Sequence, residues 1–391
     1  MRRVPSPVRR AAGAGVLLGA SFTANVALLG LSAPAAAQAK HLLPIPAATL
    51  ATMAMRDTTA AAPILVRSFK KEAELEIWKK ARSGRYVLLK TFPICRWSGQ
   101  LGPKRRQGDR QAPEGFYTVA SRQMNPNSAY YLSFDVGYPN AYDRAHGGTG
   151  SALMVHGTCS SAGCFAMTDA QVGEIYALAR EALAGGQAAF QFQAFPFRMT
   201  AQNLARHRSD PNIDFWRQLK EGADRFEATS EEPAVSVAGG RYTFAAYKDP
   251  TREALAVARR SSEEATIAAL VSDGAAAVRT TYADGGQHPA FRNDRYAGLL
   301  GEVSRPDALP AAGREVVLVP ARAKKPILVA AAPPPRPGSA PAPATDMSVF
   351  SGSAWSYGPT QPMPIGTLLA GAAGTLPATL KPATFVIASL R

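Results

Sequence analysis

The sequence predicts an α+β fold that is mainly β, with helices along the edges of the sheets. Short runs of strand-forming residues, such as Glu114–Ala120 and Phe190–Ala194, are separated by loops rich in Gly, Pro and Asn. A helical apolar pattern follows Thr168. From about Ala321 the chain is dominated by Ala and Pro, which predicts a disordered tail over 321–391.

The chain begins with the three parts of a secretory signal. Arginines precede an apolar stretch over about Ala11–Leu31, and small residues follow, ending at Ala37-Gln38-Ala39. We predict a signal peptide over 1–39, cleaved after Ala39, and therefore a periplasmic protein. An uncleaved membrane anchor is the alternative, but the Gly, Ser, Thr and Asn content of the stretch favours the weaker, cleavable segment.

The formal net charge is +15, to which the four arginines of the signal contribute four charges. A basic exported chain favours anionic surroundings, such as lipid headgroups or a cell-wall polymer rich in carboxylates. The charge is spread along the chain and forms no basic stripe interleaved with aromatic residues. We therefore expect no nucleic-acid partner.

A helix is predicted from Ser68, because serine is a good N-cap and Phe69, Ala73 and Ile77 recur at intervals of four. Gly84 ends this pattern, and strand-forming residues follow it. The predicted strands lie over Tyr86–Leu89, Glu114–Ala120 and Tyr130–Val136.

A short apolar strand is predicted over Ser151–Val155, so that His156 lies at its end. Thr168 begins a helix, with Gln171 three residues further on as in a capping box. Gly185-Gly186 ends this helix. The remaining predicted elements are a strand over Phe190–Ala194 and helices over Thr200–His207 and Pro211–Phe226.

The signals weaken beyond Glu231, and we treat 232–320 as a region of unclear fold. Val235–Tyr247 predicts a pair of strands around Gly239-Gly240, and Arg252–Ser272 predicts an Ala-rich helix.

The strongest chemical signal is the stretch Met154–Asp169, in which His156 lies eight positions before Cys164. A thiol is a usable nucleophile only as the thiolate, and a nearby imidazole can take its proton. Gly163 lets the backbone turn tightly before the cysteine, so that consecutive N–H groups can bind an oxyanion. The helix that begins just beyond Cys164 would modestly favour the thiolate. The stretch therefore predicts a catalytic Cys–His pair.

Two other interpretations compete with catalysis. A buried cysteine is more often a small apolar residue than a nucleophile. The cluster of His156, Cys159 and Cys164 also suggests zinc, with His146 as an outlying candidate. A structural zinc site needs four ligands at familiar spacings such as C-x-x-C, so we rank metal third and expect no metal or cofactor.

Several blocks around this stretch resemble the L,D-transpeptidases with a YkuD-type catalytic domain. The signature of that family is a His-Gly strand end followed by a Ser-x-Gly-Cys turn, matched here by His156-Gly157 and Ser161-Ala162-Gly163-Cys164. The resemblance covers roughly 63–227 and implies a β-sandwich catalytic domain. The flanking blocks are similar to the YafK-like branch of the family and lie at Pro93–Lys104, Gln111–Tyr117, Met124–Ser128 and Pro139–Gly157.

The resemblance implies an acyl-enzyme reaction on peptidoglycan stem peptides that contain diaminopimelate. The known member of the YafK-like branch cuts the amide between an outer-membrane lipoprotein and peptidoglycan, so a wall-linked lipoprotein or outer-membrane protein is a candidate partner. Phe165 and Ala166 follow the cysteine, where most of the family has Arg or Asn at the second position. The interval from His156 to Cys164 is also shorter than in most members. Both features agree with the YafK-like branch and leave open whether the product is a cross-link or a hydrolysed amide.

Four residues have catalytic roles in this reaction. His156 would deprotonate Cys164, and the backbone N–H groups of Gly163 and Cys164 would hold the oxyanion. Ser161 would hydrogen-bond nearby.

Three further residues are candidates on the substrate side. Asp143 and His146 are candidates to orient His156, or they only shape the pocket. Arg144 either pairs with a substrate carboxylate or makes a structural ion pair. The Lys104-Arg105-Arg106 cluster is predicted to lie in a solvated loop, with contact to a stem-peptide carboxylate as the alternative.

The three cysteines are an odd number for an oxidising compartment. If Cys164 is the nucleophile it must be free, and Cys95 with Cys159 is then a candidate disulfide. Two buried thiols are the alternative.

Two functions outside this family reaction remain as alternatives. One is a non-catalytic peptidoglycan-binding module in which the Cys–His pair is structural. The other is a cysteine peptidase that acts on proteins. The sequence does not predict the oligomeric state.

Overall fold

Two five-stranded sheets dominate a computed structural model of the protein, which describes residues 39–292 and 313–322. The strands of the first sheet are β1 (Ile64–Phe69), β2 (Glu74–Lys80), β3 (Tyr86–Pro93), β5 (Gly115–Ala120) and β10 (Ala189–Phe195), in the order β3-β2-β1-β10-β5. Those of the second are β4 (Arg96–Trp97), β6 (Met124–Asn125), β7 (Ser133–Asp135), β8 (Met154–His156) and β9 (Phe165–Ala166), in the order β4-β9-β8-β7-β6. Within these sheets β1 pairs with β10, and β8 with β9, in parallel, while the other pairs are antiparallel.

The two sheets pack against each other through aromatic side chains. The ring of Phe134 in β7 lies 5.6 Å from that of Phe190 in β10, and Phe165 in β9 lies 5.7 Å from Phe192. All four rings are fully buried in one core. Alternate residues of β10 face the second sheet, as expected of a strand with a two-residue period. The fold is therefore the mainly β, α+β sandwich that the sequence predicts.

Six α-helices surround the sheets in the described ranges. The capping box at Thr168 is confirmed, because its hydroxyl accepts from Gln171 N–H and the Gln171 side chain accepts from Thr168 N–H. The fifth helix covers the first sheet, where Phe226 packs edge-on against Trp78 at 5.0 Å. The helices are α1 (Ala47–Met55), α2 (Ala141–Ala145), α3 (Asp169–Ala184), α4 (Ala201–Arg206), α5 (Ile213–Thr229) and α6 (Pro250–Ser272).

The helix predicted from Ser68 is wrong. Ser68 and Phe69 end β1, and β2 begins at Glu74, which pairs with Phe69 across a tight turn. Ala73 has a φ of 53° in that turn. All residues of β1 are buried because the strand lies between β2 and β10. Pairing and burial on both faces therefore outweigh a local helical spacing.

The described part of the region 232–320 contains the predicted elements and an additional pair of strands. β11 (Val235–Ala238) and β12 (Arg241–Phe244) pair around the two glycines, and α6 covers the predicted helix. β13 (Ala277–Thr281) pairs with β14 (Arg314–Val319), which the sequence did not indicate. The described residues belong to one compact unit, Met1–Lys325.

The predicted signal peptide and Ala/Pro-rich tail lie almost entirely outside the described residues. A second unit, Pro326–Arg391, also lies outside them. Within 39–292 and 313–322, none of the helices has the length and apolar character needed to cross a membrane.

Candidate active site

Strand pairing brings the two ends of the Cys–His stretch together. His156 is the last residue of β8, and Cys164 directly precedes β9. The two strands are parallel neighbours, with His156 opposite Ala166. The intervening loop therefore leaves β8 at His156 and returns to the start of that strand, where Cys164 lies beside Met154. His156 and Cys164 line the same cleft of about 360 Å³.

A backbone carbonyl orients the His156 imidazole. Its Nδ1 lies 2.5 Å from the carbonyl oxygen of Gly157. Because a carbonyl can only accept, Nδ1 carries the proton and Nε2 is left as an acceptor. The Tyr130 ring packs against the imidazole at 4.7 Å. Burial lowers the pKa of His156, so the ring is neutral at pH 7.

The Cys164 thiol is half-buried and uncharged. The pKa of Cys164 is raised to about 11, mainly by burial and to a smaller extent by the nearby Asp135 carboxylate, while the Met154 N–H and Lys104 lower it. That N–H donates to Sγ at 3.4 Å. In the described ranges no hydrogen bond joins Sγ to the His156 ring. Desolvation thus outweighs the helix dipole that the sequence suggested would favour a thiolate.

Ser161 holds the turn before Cys164. Its hydroxyl oxygen accepts from the N–H groups of Gly163, at 3.3 Å, and Cys164, at 3.1 Å, and it donates to the Cys164 carbonyl at 2.8 Å. Gly163 has a φ of 141°, a conformation that residues with a Cβ rarely adopt. The two N–H groups predicted to bind the oxyanion are therefore engaged by Ser161 in this structure.

A disulfide joins Cys95 to Cys159, with a Cα–Cα distance of 5.3 Å. The candidate pairing is confirmed, and Cys164 is the free thiol. Because Cys159 is bonded to sulfur, it cannot serve the alternative zinc site. No group of three potential metal ligands occurs among the residues that the structure describes.

Residues 69–184 match the family model described as the YkuD L,D-transpeptidase catalytic domain. YafK of Escherichia coli K12, a protein named as an L,D-transpeptidase, is 48% identical over 180 residues, which are 46% of this chain and 73% of that protein. The chain belongs to the L,D-transpeptidase family. YafK of Escherichia coli O157:H7 matches to the same extent.

Two solved structures are more distantly similar to this L,D-transpeptidase-family chain. The helical cell shape determining protein Pgp2 of Campylobacter jejuni is 16% identical, with a TM-score of 0.28 over 59% of this chain and 80% of that one. Bd1075 of Bdellovibrio bacteriovorus is 14% identical, with a TM-score of 0.26 over 46% and 78%.

The three substrate-side candidates are not among the residues that line the cleft of this L,D-transpeptidase domain. Asp143 is buried, accepts hydrogen bonds from the Asn140 N–H and the Tyr117 hydroxyl, and has a pKa that burial raises to about 6. Arg144 donates to the Pro139 carbonyl. His146 stacks on Tyr142 at 4.1 Å. These contacts stabilise α2 and its surroundings, and the Gly157 carbonyl orients His156 instead.

Two residues in the cleft were not assigned to the site from the sequence. Lys104 was predicted to be solvated, yet its ammonium is buried at the cleft and contacts Asp109 Oδ1 at 2.5 Å. An acidic residue five positions after Lys104 was the available signal. Tyr130 gave none, because its contact with His156 depends on a loop between β6 and β7.

Proposed function

We propose that Cys164 forms an acyl-enzyme on the diaminopimelate-containing stem peptides of peptidoglycan. The observation that supports this most strongly is the shared cleft of His156 and Cys164, with the imidazole held in the tautomer that can accept a proton. Membership of the L,D-transpeptidase family also supports this reaction class.

The reaction begins from a neutral pair. His156 Nε2 takes the proton of the Cys164 thiol as the sulfur attacks a substrate carbonyl carbon. The imidazolium then protonates the leaving amine, the C–N bond breaks, and a thioester remains. An acceptor amine or water then attacks the thioester and gives its proton to His156. The C–S bond breaks, and the imidazolium returns that proton to the departing sulfur, which restores the thiol. No step needs a metal or organic cofactor.

The oxyanion would be bound by the N–H groups of Gly163 and Cys164. Since the Ser161 hydroxyl accepts from both groups before substrate arrives, the oxyanion must compete with a neutral oxygen for them. Charge-assisted hydrogen bonds are about twice as strong as neutral ones, which favours the oxyanion in that competition.

The expected location is the periplasm, reached through the signal peptide over 1–39. Wall-linked lipoproteins or outer-membrane proteins are candidate substrates if the leaving amine belongs to a protein. A nucleic-acid partner is not expected.

Purified mature protein should be incubated with muropeptides, with and without a linked lipoprotein peptide, and the products identified by mass spectrometry. New cross-links would indicate transpeptidation, and released peptide would indicate hydrolysis. Cys164→Ala should abolish both, whereas the matched control His146→Ala should retain activity. If neither product forms, the acyl-enzyme proposal fails. Digestion of unfolded protein without diaminopimelate would favour the peptidase alternative.

The raised pKa of Cys164 favours one second candidate, a non-catalytic peptidoglycan-binding module. Such a module would retain its effect in cells, and its sedimentation with purified peptidoglycan, after Cys164→Ala. An enzyme would lose its effect in cells after Cys164→Ala but would still sediment with peptidoglycan.

A further inference from the structure

A C-terminal segment packs against β4 and the loop that follows it. We define the strap as residues Tyr282–Arg292, about a hundred residues beyond the end of the family match at 184. Gly286 exchanges two backbone hydrogen bonds of 3.0 Å with Trp97 of β4. The Tyr282 ring packs on Trp97 at 4.8 Å. The strap therefore extends the second sheet at its β4 edge, on the side of β4 away from β9.

The approach is close enough to require glycine in the strap. A Cβ on Gly285 would lie 2.0 Å from the Trp97 carbonyl oxygen, and Gly285 has a φ of 77°. The strap also covers the disulfide, where Phe291 packs with Cys95 and Cys159 in a small buried cluster.

A chain of polar contacts leads from the strap to Cys164. Both Asp284–Arg110 hydrogen bonds run to Asp284 Oδ2, from Nε at 3.1 Å and Nη2 at 2.5 Å. Arg110 Nη2 also donates to the Ser161 carbonyl at 3.2 Å. Ser161 in turn holds the N–H groups of Gly163 and Cys164. The Asp284 carboxylate is thus three contacts from the nucleophile.

Asp284 also lies between two arginines, Arg96 and Arg110, and supplies their negative charge. It is 4% exposed as a side chain, whereas Arg110 is 22% exposed. Its second carboxylate oxygen accepts from the Gly99 N–H at 3.3 Å, and its backbone carbonyl accepts from the buried Arg96. Loss of this carboxylate would remove the anion nearest to Arg96 and Arg110. Because Arg110 also donates to the Ser161 carbonyl, we expect the turn at Ser161 to shift.

We propose that Asp284 is a positioning residue for the L,D-transpeptidase-type reaction, which fixes the nucleophile turn through Arg110 and Ser161. The expected effect of Asp284 on kcat rests on the proposed function. The geometry of the thiol can be tested separately. The strap then belongs to the active site, although it lies outside the family match.

The test is Asp284→Asn in the full mature chain, with Glu315→Gln as the matched control. Glu315 in β14 makes ion pairs with Lys71 and Arg206, so its substitution also removes an acidic anchor of the C-terminal region, away from the turn. For Asp284→Asn we expect kcat on muropeptides to fall about 10- to 100-fold with KM changed less than about threefold. Glu315→Gln should retain kcat within about twofold.

The pH dependence of Cys164 alkylation by iodoacetamide is the second readout. A loosened turn exposes the thiol to water, so Asp284→Asn should react about three- to tenfold faster than the parent at pH 8 while turning over more slowly. A loss of stability alone would not move these two rates in opposite directions at a temperature well below unfolding. If Asp284→Asn does not fold, Arg110→Lys, which keeps the charge but loses the forked geometry, replaces it.

Unchanged kcat and alkylation in a folded variant would overturn the inference, as would equal losses in Asp284→Asn and Glu315→Gln. If the parent protein turns over no muropeptide but Asp284→Asn still shifts the alkylation profile, the proposed function fails. The positioning of Cys164 by Asp284 would then stand.

Discussion

The thiol and the imidazole in the cleft are both neutral, because both side chains lose water on burial. Desolvation raises the pKa of Cys164 to about 11 and lowers that of His156. The thiolate–imidazolium pair of many cysteine enzymes is therefore not the resting state. Proton transfer must accompany the attack, and substrate binding must bring sulfur and imidazole into contact.

Alkylation of Cys164 tests this protonation state. The rate with iodoacetamide should rise about tenfold per pH unit from pH 7 to about pH 10, because only the thiolate reacts. The measurement is simple, since the other two cysteines form the disulfide. His156→Gln should leave the slope unchanged. A plateau between pH 6 and 8 would show a preformed ion pair and contradict the prediction.

The acid limb of turnover should lie below the ordinary pKa of histidine. Burial lowers the pKa of His156, so the base is lost only as the pH falls through that lowered value. We expect kcat/KM for muropeptides to be retained at pH 6.5 and to decline at lower pH. A decline that begins above pH 7 would mean that His156 is protonated more easily than its buried position allows.

Truncation of Ser161 should lower both the stability of the protein and its turnover. Ser161→Ala leaves two N–H groups of a buried turn without their acceptor, which should cost about 1–3 kcal/mol in the free energy of unfolding. Turnover should also fall, because the turn carries the nucleophile. Ser236→Ala, which removes an exposed hydroxyl bonded to Thr243, is the control for urea denaturation and should change little.

At the scale of elements, a buried ion pair fixes the loop between β4 and β5. Lys70 follows β1, Glu114 precedes β5, and their side chains meet at 2.8 Å with no exposure. Lys70 also donates to the Gly102 and Ala112 carbonyls, and Glu114 accepts from Trp216 of α5. The pair therefore connects the first sheet, the loop that supports the cleft, and α5.

Glu114→Gln should lower the free energy of unfolding by about 3–5 kcal/mol, because the Lys70 ammonium would remain buried without a compensating charge. Urea denaturation measures the change. Glu264→Gln, which removes an exposed partner of Arg260, should cost less than about 1 kcal/mol. Equal changes in the free energy of unfolding for the two substitutions would show that the buried pair stabilises the fold no more than an exposed one.

Elements with local signals were predictable from the sequence. The capping box and apolar face of α3, the alternation in β10 and the double glycine between β11 and β12 each depend on residues a few positions apart. The helix predicted at Ser68 failed because a spacing of four also arises in a hairpin, and only pairing with β10 distinguishes the two.

The candidate site was predictable to the same extent. His156, Cys164 and the turn around Ser161 lie within nine residues of one another, so a motif could identify them. Asp284 and Arg110 are separated by 174 positions, and no local pattern indicates their pairing. The same holds for the packing of Tyr130 on His156, which joins a loop to the end of β8.

At the scale of the whole molecule, the disulfide connects distant parts of the sandwich. It closes a loop with a sequence separation of 64, from Cys95 between β3 and β4 to Cys159 in the loop that precedes Cys164. Reduction should lower the free energy of unfolding by about 2–5 kcal/mol. Thermal melts with and without reductant test this. The double variant Cys95→Ala, Cys159→Ala should melt at a low temperature that reductant does not change, while Cys164→Ala should respond to reductant as the parent does.

The position of that disulfide also determines whether folding or disulfide formation must come first as the protein matures. Cys159 and Cys164 are five positions apart, so in an unfolded chain these two sulfurs meet far more often than Cys159 meets Cys95. A bond between the near neighbours would consume the sulfur of the proposed nucleophile, and we expect such a protein to be inactive. Assembly of the strands must therefore come before oxidation is complete, and a secretion host with disulfide isomerase should give a larger active fraction than one without it.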